Sequence, residues 1–194
     1  GLDLQGGSYL LLEIDNEPVE IQKLQNTTTV IRNFLKSKKI NFNDLRIQNK
    51  TIVFTVPTMN VNLVEAFFLD KESEINPYYN QYKSHQFDVT LEGRKFILSL
   101  SKYGLIEIKT SSQDQALEIV RRRVDEVGTN EPNILKRGNN RILVELPGLD
   151  DPMRIKSLLG KTANLTFRFV TQNKNDTFGT EMLQFEDGMT EAMV

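Results

Sequence analysis

The chain has 194 residues, of which 39% are hydrophobic, with 24 basic and 26 acidic side chains. This length allows one larger domain or two small ones, with enough apolar material for a packed core. A formal net charge of −2 lacks the basic excess that nucleic-acid phosphates usually require. Cysteine is absent, which excludes disulfides, thiol nucleophiles and zinc–thiolate sites. No apolar run approaches the roughly 18 residues of a membrane span, and residue 1 is not Met, so we expect a soluble piece of a longer protein.

The first half of the chain alternates between strand-like and helix-like patterns. Leu10, Leu12 and Ile14 fall on one side of an alternating segment, which is the period of a strand. From Val19 onward, apolar residues recur every three or four positions, which is typical of an amphipathic helix. In chain order we predict a strand at 8–15, a helix at 19–38, a hairpin at 45–56, a helix at 60–69, an irregular stretch at 71–84 and a hairpin at 87–100.

The second half begins with the longest helical pattern in the sequence. Gly128 follows that pattern, as expected of a residue just past a helix end. A shorter helix is expected to have Asp151 as its N-cap and Pro152 in its first position, and to end at Gly160. We therefore predict a helix at 105–127, a hairpin at 134–146, a helix at 151–159 and a strand at 164–170.

These elements predict an α+β fold. Their order is strand-helix-strand-strand-helix-strand, found once at about 1–92 and again at about 93–170. Each round has the split β-α-β order of a ferredoxin-like domain, a βαββαβ unit with its helices on one face of an antiparallel sheet. After Val170 the sequence is polar with little periodicity, so we expect 171–194 to hold a linker and the start of a further subdomain.

The residues that could carry chemistry each have a plainer structural explanation. His85 is the only histidine, so a Ser-His-Asp or Cys-His nucleophile cannot be assembled within one chain. Asp150 and Asp151 are followed by proline, a context that suits helix capping better than metal binding. We therefore predict no catalytic residue, no metal site and no cofactor.

Three consecutive arginines, 121–123, are the densest basic cluster. On a helix they point about 100° apart, so they cannot form one compact phosphate site. The spacing favours ion pairs along a solvated helix face, between Glu118 and Arg122 and between Arg122 and Glu126.

A small-ligand-sensing or RNA-binding module of the same topology is the alternative. RNA-recognition domains share the ferredoxin-like order and expose aromatic residues on their central strands. Here Phe54, Phe167 and Phe169 fall on the faces predicted to line the core. The sequence gives this alternative little support.

Two blocks of sequence resemble the SecD family of protein-export membrane proteins. One block is 1–15 and the other is 113–170, and together they are specific to that family. The segment 16–112 resembles the longer bacterial members in length and element order only. The residues that we take as the structural signature of the two blocks are Asp3, Gly6, Gly7, Gly128, Glu131, Pro132, Arg141, Pro147, Gly148 and Gly160.

The resemblance implies a non-enzymatic role in protein export. A SecD protein lies in the bacterial inner membrane, held by spans that would fall outside residues 1–194, with this domain on the periplasmic side. Together with SecF it assists the SecYEG channel, using the proton gradient to draw unfolded preprotein outward. Its periplasmic domain has a base and a mobile head that grips the preprotein. Residues 1–170 would be the base, the head would begin in 171–194, and nucleic acid would not be a partner.

The resemblance also leaves the pairing of the first strand open. Shorter family members lack much of 16–112, so that strand could share a sheet with the elements after residue 113. The two rounds could then be interleaved, or they could stand in tandem. The Glu131-Pro132 and Pro147-Gly148 pairs are expected to be turns, with the residue before proline extended and Gly148 tolerating positive φ.

The strand that leads toward the head is the candidate for a hinge or partner contact. Its Arg168 is predicted on the face opposite Phe167 and Phe169. The polar stretch 171–180 suits a hinge, with its pivot expected at about 170–175. The candidate residues are Arg168, Val170, Thr171, Gln172 and Asn173.

Overall fold

The structure is a computed structural model that describes residues 9–128, 131–147, 152–160, 167–171, 181–184 and 190–193. It divides into two compact units. The split unit combines residues 1–16 with 109–194, and the inserted unit is the continuous segment 17–108. Both units contain helices and mainly antiparallel sheets, which confirms the α+β class.

The predicted helices and strands up to residue 171 are present, with ends displaced by three residues at most. A 3₁₀ turn at Thr58–Asn60 precedes the second helix. In chain order the elements are β1 (Tyr9–Ile14), α1 (Glu17–Ser37), β2 (Asn43–Gln48), β3 (Thr51–Thr55), α2 (Val61–Leu69), β4 (Tyr78–Tyr79), β5 (Ser84–His85), β6 (Phe87–Glu92), β7 (Lys95–Leu100), α3 (Lys102–Glu126), β8 (Asn133–Arg137), β9 (Arg141–Glu145), α4 (Pro152–Leu159), β10 (Phe167–Thr171), β11 (Glu181–Gln184) and β12 (Thr190–Met193).

The inserted unit has an antiparallel sheet in the order β2-β3-β7-β6, against which α1 and α2 pack. Its core is built around phenylalanine: Phe54 stacks on Phe96 with 5.1 Å between ring centroids, and Phe68 lies 6.0 and 5.9 Å from those two rings. Leu24 of α1 is buried against this cluster. Burial of these rings adds to the aliphatic burial that holds the helices to the sheet.

A buried amide fixes the irregular stretch between α2 and β6. Asn76 is 1% exposed. Its Nδ2 donates to the carbonyl oxygens of Phe68 (3.0 Å) and Phe87 (3.1 Å), and its Oδ1 accepts from the Phe87 amide (2.9 Å). One side chain therefore satisfies three backbone groups that would otherwise be buried without partners.

The split unit has a six-stranded sheet in the order β11-β12-β10-β1-β9-β8. Strand β1 lies between β9 and β10 and is antiparallel to both. Its Leu10, Leu12 and Ile14 complete a core with Val120 and Val124 of α3. The pairing of the first strand is thus interleaved. The expected boundary near residue 92 falls instead in the turn of the β6–β7 hairpin, whose strands are paired with each other.

The segment after residue 171 differs from the predicted linker. Strand β12 pairs in parallel with β10, and β11 pairs antiparallel with β12, so both extend the sheet of the split unit. Each strand has only four residues. Such short strands contain too little alternation to stand out from a polar sequence.

Candidate functional site

Three of the five residues predicted for a hinge or partner contact lie on β10. Arg168, Val170 and Thr171 belong to this strand, which pairs with β1 on one side and with β12 on the other. Rotation of an interior strand would break the hydrogen bonds of both ladders. Arg168 lies where both ladders hold the strand, whereas Val170 and Thr171 are paired with β1. Gln172 and Asn173 lie outside the described residues.

The strand register places position 168 in a charged row that crosses four strands. Glu13 of β1 is opposite Arg168 on one side and Arg141 of β9 on the other. Arg141 is in turn opposite Arg137 of β8. Opposite charges across a ladder stabilise it by roughly 0.2–1 kcal/mol for each pair, and like charges directly opposite destabilise it. The Glu13–Arg141 position therefore favours the β1–β9 register, whereas the Arg141–Arg137 position does not favour the β8–β9 register.

The signature residues that the structure describes serve turns and helix ends. Gly128 has φ of +71° and its amide donates to the Asp125 carbonyl at 3.0 Å, which confirms it as the residue that ends α3. Glu131 has φ of +56°, so the expectation of an extended residue before Pro132 is wrong. Proline restricts the right-handed helical region of the residue before it, and Glu131 takes the left-handed region instead.

Arg141 begins β9 at a turn held by a buried glutamine. Gln113 of α3 is 4% exposed, and its Nε2 donates to the carbonyl oxygens of Gly138 (3.0 Å) and Arg141 (2.9 Å). Gly138 has φ of +57° in this turn. At the end of α4, the Gly160 amide donates to the Lys156 carbonyl at 2.8 Å. Pro147 lies in an exposed turn, whereas Asp3, Gly6, Gly7 and Gly148 lie outside the described residues.

The histidine and aspartates considered as chemical candidates are not brought together into a site by the described residues. His85 Nε2 lies 2.9 Å from the Asp70 carbonyl oxygen, and its ring packs on the edge of Tyr78 at 4.9 Å. Asp150 and Asp151 lie outside the described residues. In the part of the chain that the structure describes, no group of three acidic or histidine side chains could hold a metal ion.

The ion pairs predicted on α3 differ from those observed. Arg123 Nη1 lies 3.7 Å from Glu126 Oε2, so Glu126 pairs with Arg123 rather than with Arg122. The expected pair between Glu118 and Arg122 is also not formed. The three- and four-residue spacings are both compatible with helical pairing, and sequence alone does not choose between them.

Sequence reasoning missed a tyrosine cluster in the inserted unit. Tyr82 stacks on Tyr103 with 4.5 Å between centroids, and Tyr79 packs edge-on against Tyr82. Gln86 Nε2 donates to the Tyr79 hydroxyl oxygen at 2.9 Å. Burial raises the pKa of the Tyr79 hydroxyl above its usual value, and the Gln86 hydrogen bond only partly offsets this. Three tyrosines between residues 78 and 82 were the available signal.

Comparisons with known proteins agree on one family. Residues 113–172 match the family described as "Protein translocase subunit SecDF, P1 domain, N-terminal". The "Protein translocase subunit SecD" of Rickettsia bellii is 32% identical over 177 residues, 90% of this chain. That of Acetobacter pasteurianus is 35% identical over 175 residues, 89% of this chain.

A third relative extends the similarity further along the chain. The "Protein translocase subunit SecD" of Pseudomonas aeruginosa is 32% identical over 191 residues, 96% of this chain. The alignments cover 32%, 32% and 29% of these three relatives, so the chain spans about a third of the length of the curated relatives it matches. Within the described residues, no helix is long and apolar enough to be a candidate bilayer span.

Proposed function

The chain belongs to the SecD family of protein translocase subunits, and we propose that it forms part of the periplasmic base of such a subunit. The observation that carries the proposal is the match of 113–172 to the P1 domain, a range that runs from α3 to β10. The base would be the rigid support of a mobile head subdomain that binds unfolded preprotein. It would act by transmitting motion, without making or breaking a bond.

The proposal places the whole protein in the bacterial inner membrane, with this segment on the periplasmic side. SecF and the SecYEG channel would be its partners, and the emerging preprotein its substrate. Coupling to the proton gradient would belong to membrane spans outside residues 1–194. The side chains of residues 1–194 would then stabilise the periplasmic base and would take no part in proton transfer.

We also propose that the split unit is the ferredoxin-like core of this base. Its elements follow the order β1, α3, β8, β9, α4, β10, and its first four strands in sheet order from β10 are β10-β1-β9-β8. That is a βαββαβ sequence with the inserted unit placed between the first strand and the first helix. Helix α3 and strands β1, β8 and β9 share one aliphatic core, which supports the assignment.

The test is site-specific photo-crosslinking in membranes, with the full-length protein that contains this chain and a stalled export intermediate. Probes at Arg168 and Asn173 are expected to label the preprotein or a neighbouring translocase subunit. A probe at the exposed Lys83 of the inserted unit serves as the matched control. Labelling of ribonucleoprotein or small ligands alone would favour the alternative, a small-ligand-sensing or RNA-binding module. Phe54 does not support that alternative, because it is fully buried against Phe96 and is not exposed to stack on a base.

A second experiment tests the pivot that we propose at residues 172–175. Val170 is opposite Leu11 in the ladder, so one more paired position would bring residue 172 opposite Tyr9. Residues 1–194 contain no cysteine, so Tyr9→Cys with Gln172→Cys would give a single disulfide within them. This disulfide is expected to slow export until it is reduced. The control pair, Leu11→Cys with Val170→Cys, joins residues that are already paired and should leave export unchanged. Equal export by the two oxidised proteins would contradict the pivot.

A further inference from the structure

Helix α2 is apolar around nearly its whole circumference but is buried on one side only. Seven of its nine residues are apolar, and only Asn62 and Glu65 are polar. Val64 and Phe68 are buried in the core, whereas Leu63 is 49% exposed and Leu69 is 56% exposed. A helix that is hydrophobic all round is normally covered on every side. In the described part of the chain, the outer side of α2 is not covered.

The exposed apolar surface continues onto neighbouring elements. Met59, which is 87% exposed, stands one helical turn before Leu63. Phe67 contacts Phe34 of α1 edge-on, with ring centroids 5.0 Å apart. Val30, one turn before Phe34, is 45% exposed. We call these five residues, Val30, Phe34, Met59, Leu63 and Phe67, the outer patch.

Lysines border the outer patch where α1 ends. Lys36, Lys38 and Lys39 are all exposed, but Lys36 is two residues from Phe34 and so lies about 200° away from it around α1. The Lys38 Nζ lies 5.5 Å from the Phe34 ring centroid and 5.9 Å from that of Phe67, so its cation stands directly over the patch. Among the described residues, no carboxylate forms an ion pair with any of the three.

The acidic side chains of α1 and α2 themselves lie away from this surface. Glu65 is two residues from Leu63, which places it about 200° around α2 and therefore on the far side of the helix. Glu17 and Glu20 are at the other end of α1, where they flank Lys50 at 3.7 and 3.9 Å. The patch thus joins exposed apolar side chains to lysines without a carboxylate partner among the described residues. The Asp70 carboxylate, at the end of α2, instead accepts from the Glu72 amide at 3.0 Å.

We propose that the outer patch binds an anionic lipid surface. The apolar side chains would enter the boundary between headgroups and acyl chains, while the lysines would reach the phosphates with their methylene stems alongside. A second copy of this chain is a poorer occupant, because a two-fold pairing would set the same lysines against each other. The proposal goes beyond the role in export, and its test measures vesicle binding without any export assay.

The experiment is flotation of the 194-residue chain with vesicles of phosphatidylglycerol mixed with phosphatidylethanolamine, compared with vesicles of phosphatidylcholine alone. Binding to the anionic vesicles is expected to be about tenfold tighter, and to weaken as salt rises. Lys38→Glu with Lys39→Glu should abolish that preference, whereas Lys36→Glu, on the other side of α1, should not. Met59→Ser with Leu63→Ser should weaken binding to the anionic vesicles while the chain stays folded, because both residues are exposed.

Two matched variants outside the patch serve as controls. Leu135→Ser replaces another exposed leucine, and Lys83→Glu reverses another exposed lysine, so both should bind anionic vesicles as the unaltered chain does. Circular dichroism checks that every variant is folded. Equal binding to both kinds of vesicle, or unaltered binding by the patch variants, would overturn the proposal. A concentration-dependent dimer that Leu63→Ser dissociates, without vesicle binding, would overturn it in favour of a second copy.

Discussion

The two units differ in the kind of side chain that fills their cores. The inserted unit buries four phenylalanines, Phe54, Phe68, Phe87 and Phe96, with ring contacts between three of them. The described core of the split unit is aliphatic and consists of leucine, isoleucine, valine and alanine. Rings bury more area per residue and pack with defined geometry. A single ring in the inserted unit therefore buries more apolar area than a single aliphatic side chain in the split unit.

The units also differ in whether they are built from one continuous segment of the chain or from two. All elements of the inserted unit come from one continuous segment, 17–108, whereas the split unit closes its sheet with β1 and strands from beyond that segment. Pairing of β1 with β9 requires closure of a long loop, whereas the contacts of the inserted unit lie within one continuous segment. We therefore expect the inserted unit to fold and unfold independently of the split unit.

The largest expected effect comes from removing a ring. Phe96→Ala should lower the free energy of unfolding of the inserted unit by about 3–5 kcal/mol, because Phe96 contacts both Phe54 and Phe68 in a fully buried cluster. Urea unfolding followed by tyrosine fluorescence measures this, since four of the five tyrosines lie in 17–108 and the chain has no tryptophan.

A milder variant in the split unit is Ile142→Val, which removes one buried methyl group and should cost about 0.5–1.5 kcal/mol. Far-UV circular dichroism reports both units together. If Phe96→Ala shifted the two signals by the same amount, the units would unfold as one, and the independence argued from the continuous segment would be wrong.

A smaller effect compares the two buried amides. Asn76→Ala leaves the Phe87 amide and two carbonyl oxygens without a partner, so we expect a loss of about 2–3 kcal/mol. Gln113→Ala removes only donors to carbonyl oxygens, and carbonyls tolerate a missing partner better than amides. That variant should lose about 1–2 kcal/mol. Urea midpoints of both variants test the order, which reverses if turn closure by Gln113 matters more than satisfaction of an amide.

Much of the fold could be predicted from local pattern. The strict alternation at Leu10, Leu12 and Ile14 and the glycine at residue 128 placed β1 and the end of α3 correctly. The partner of β1 could not be predicted, because alternation specifies a buried face and does not specify which strands will cover its edges. Likewise the positive φ of Glu131 depends on the turn between α3 and β8, whereas the sequence offers only the restriction from Pro132.

The candidate site was less predictable than the fold. Arg168 and Val170 were placed on the correct strand, but the sheet partners that make this strand an interior one come from residues 9–14 and 190–193. The outer patch depends on Phe34 and Phe67, which are distant in sequence and meet only when α1 and α2 pack on the same sheet. Its one local signal was the nearly continuous apolar composition of α2.

The smallest expected loss of unfolding free energy comes from the tyrosine cluster. Its dependence on pH distinguishes the inserted unit, which contains the cluster, from the split unit. Tyr79→Phe removes the acceptor for the Gln86 amide, so near neutral pH it should cost about 0.5–1.5 kcal/mol in the inserted unit. Burial raises the pKa of the Tyr79 hydroxyl in the folded state. The stability linked to the neutral phenol is thus fully present below the unfolded value of about 10, and is lost as pH rises through the folded pKa, because the unfolded state ionises first.

The phenylalanine variant has no proton to lose, so its unfolding free energy should fall less steeply above pH 10 than that of the unaltered chain. The gap between the two proteins should therefore narrow at alkaline pH, measured by urea unfolding with circular dichroism. Ile142→Val in the split unit serves as the control, because its gap should stay constant across the same range. A constant gap for Tyr79→Phe would mean that its hydroxyl is as well solvated in the folded chain as in the unfolded one.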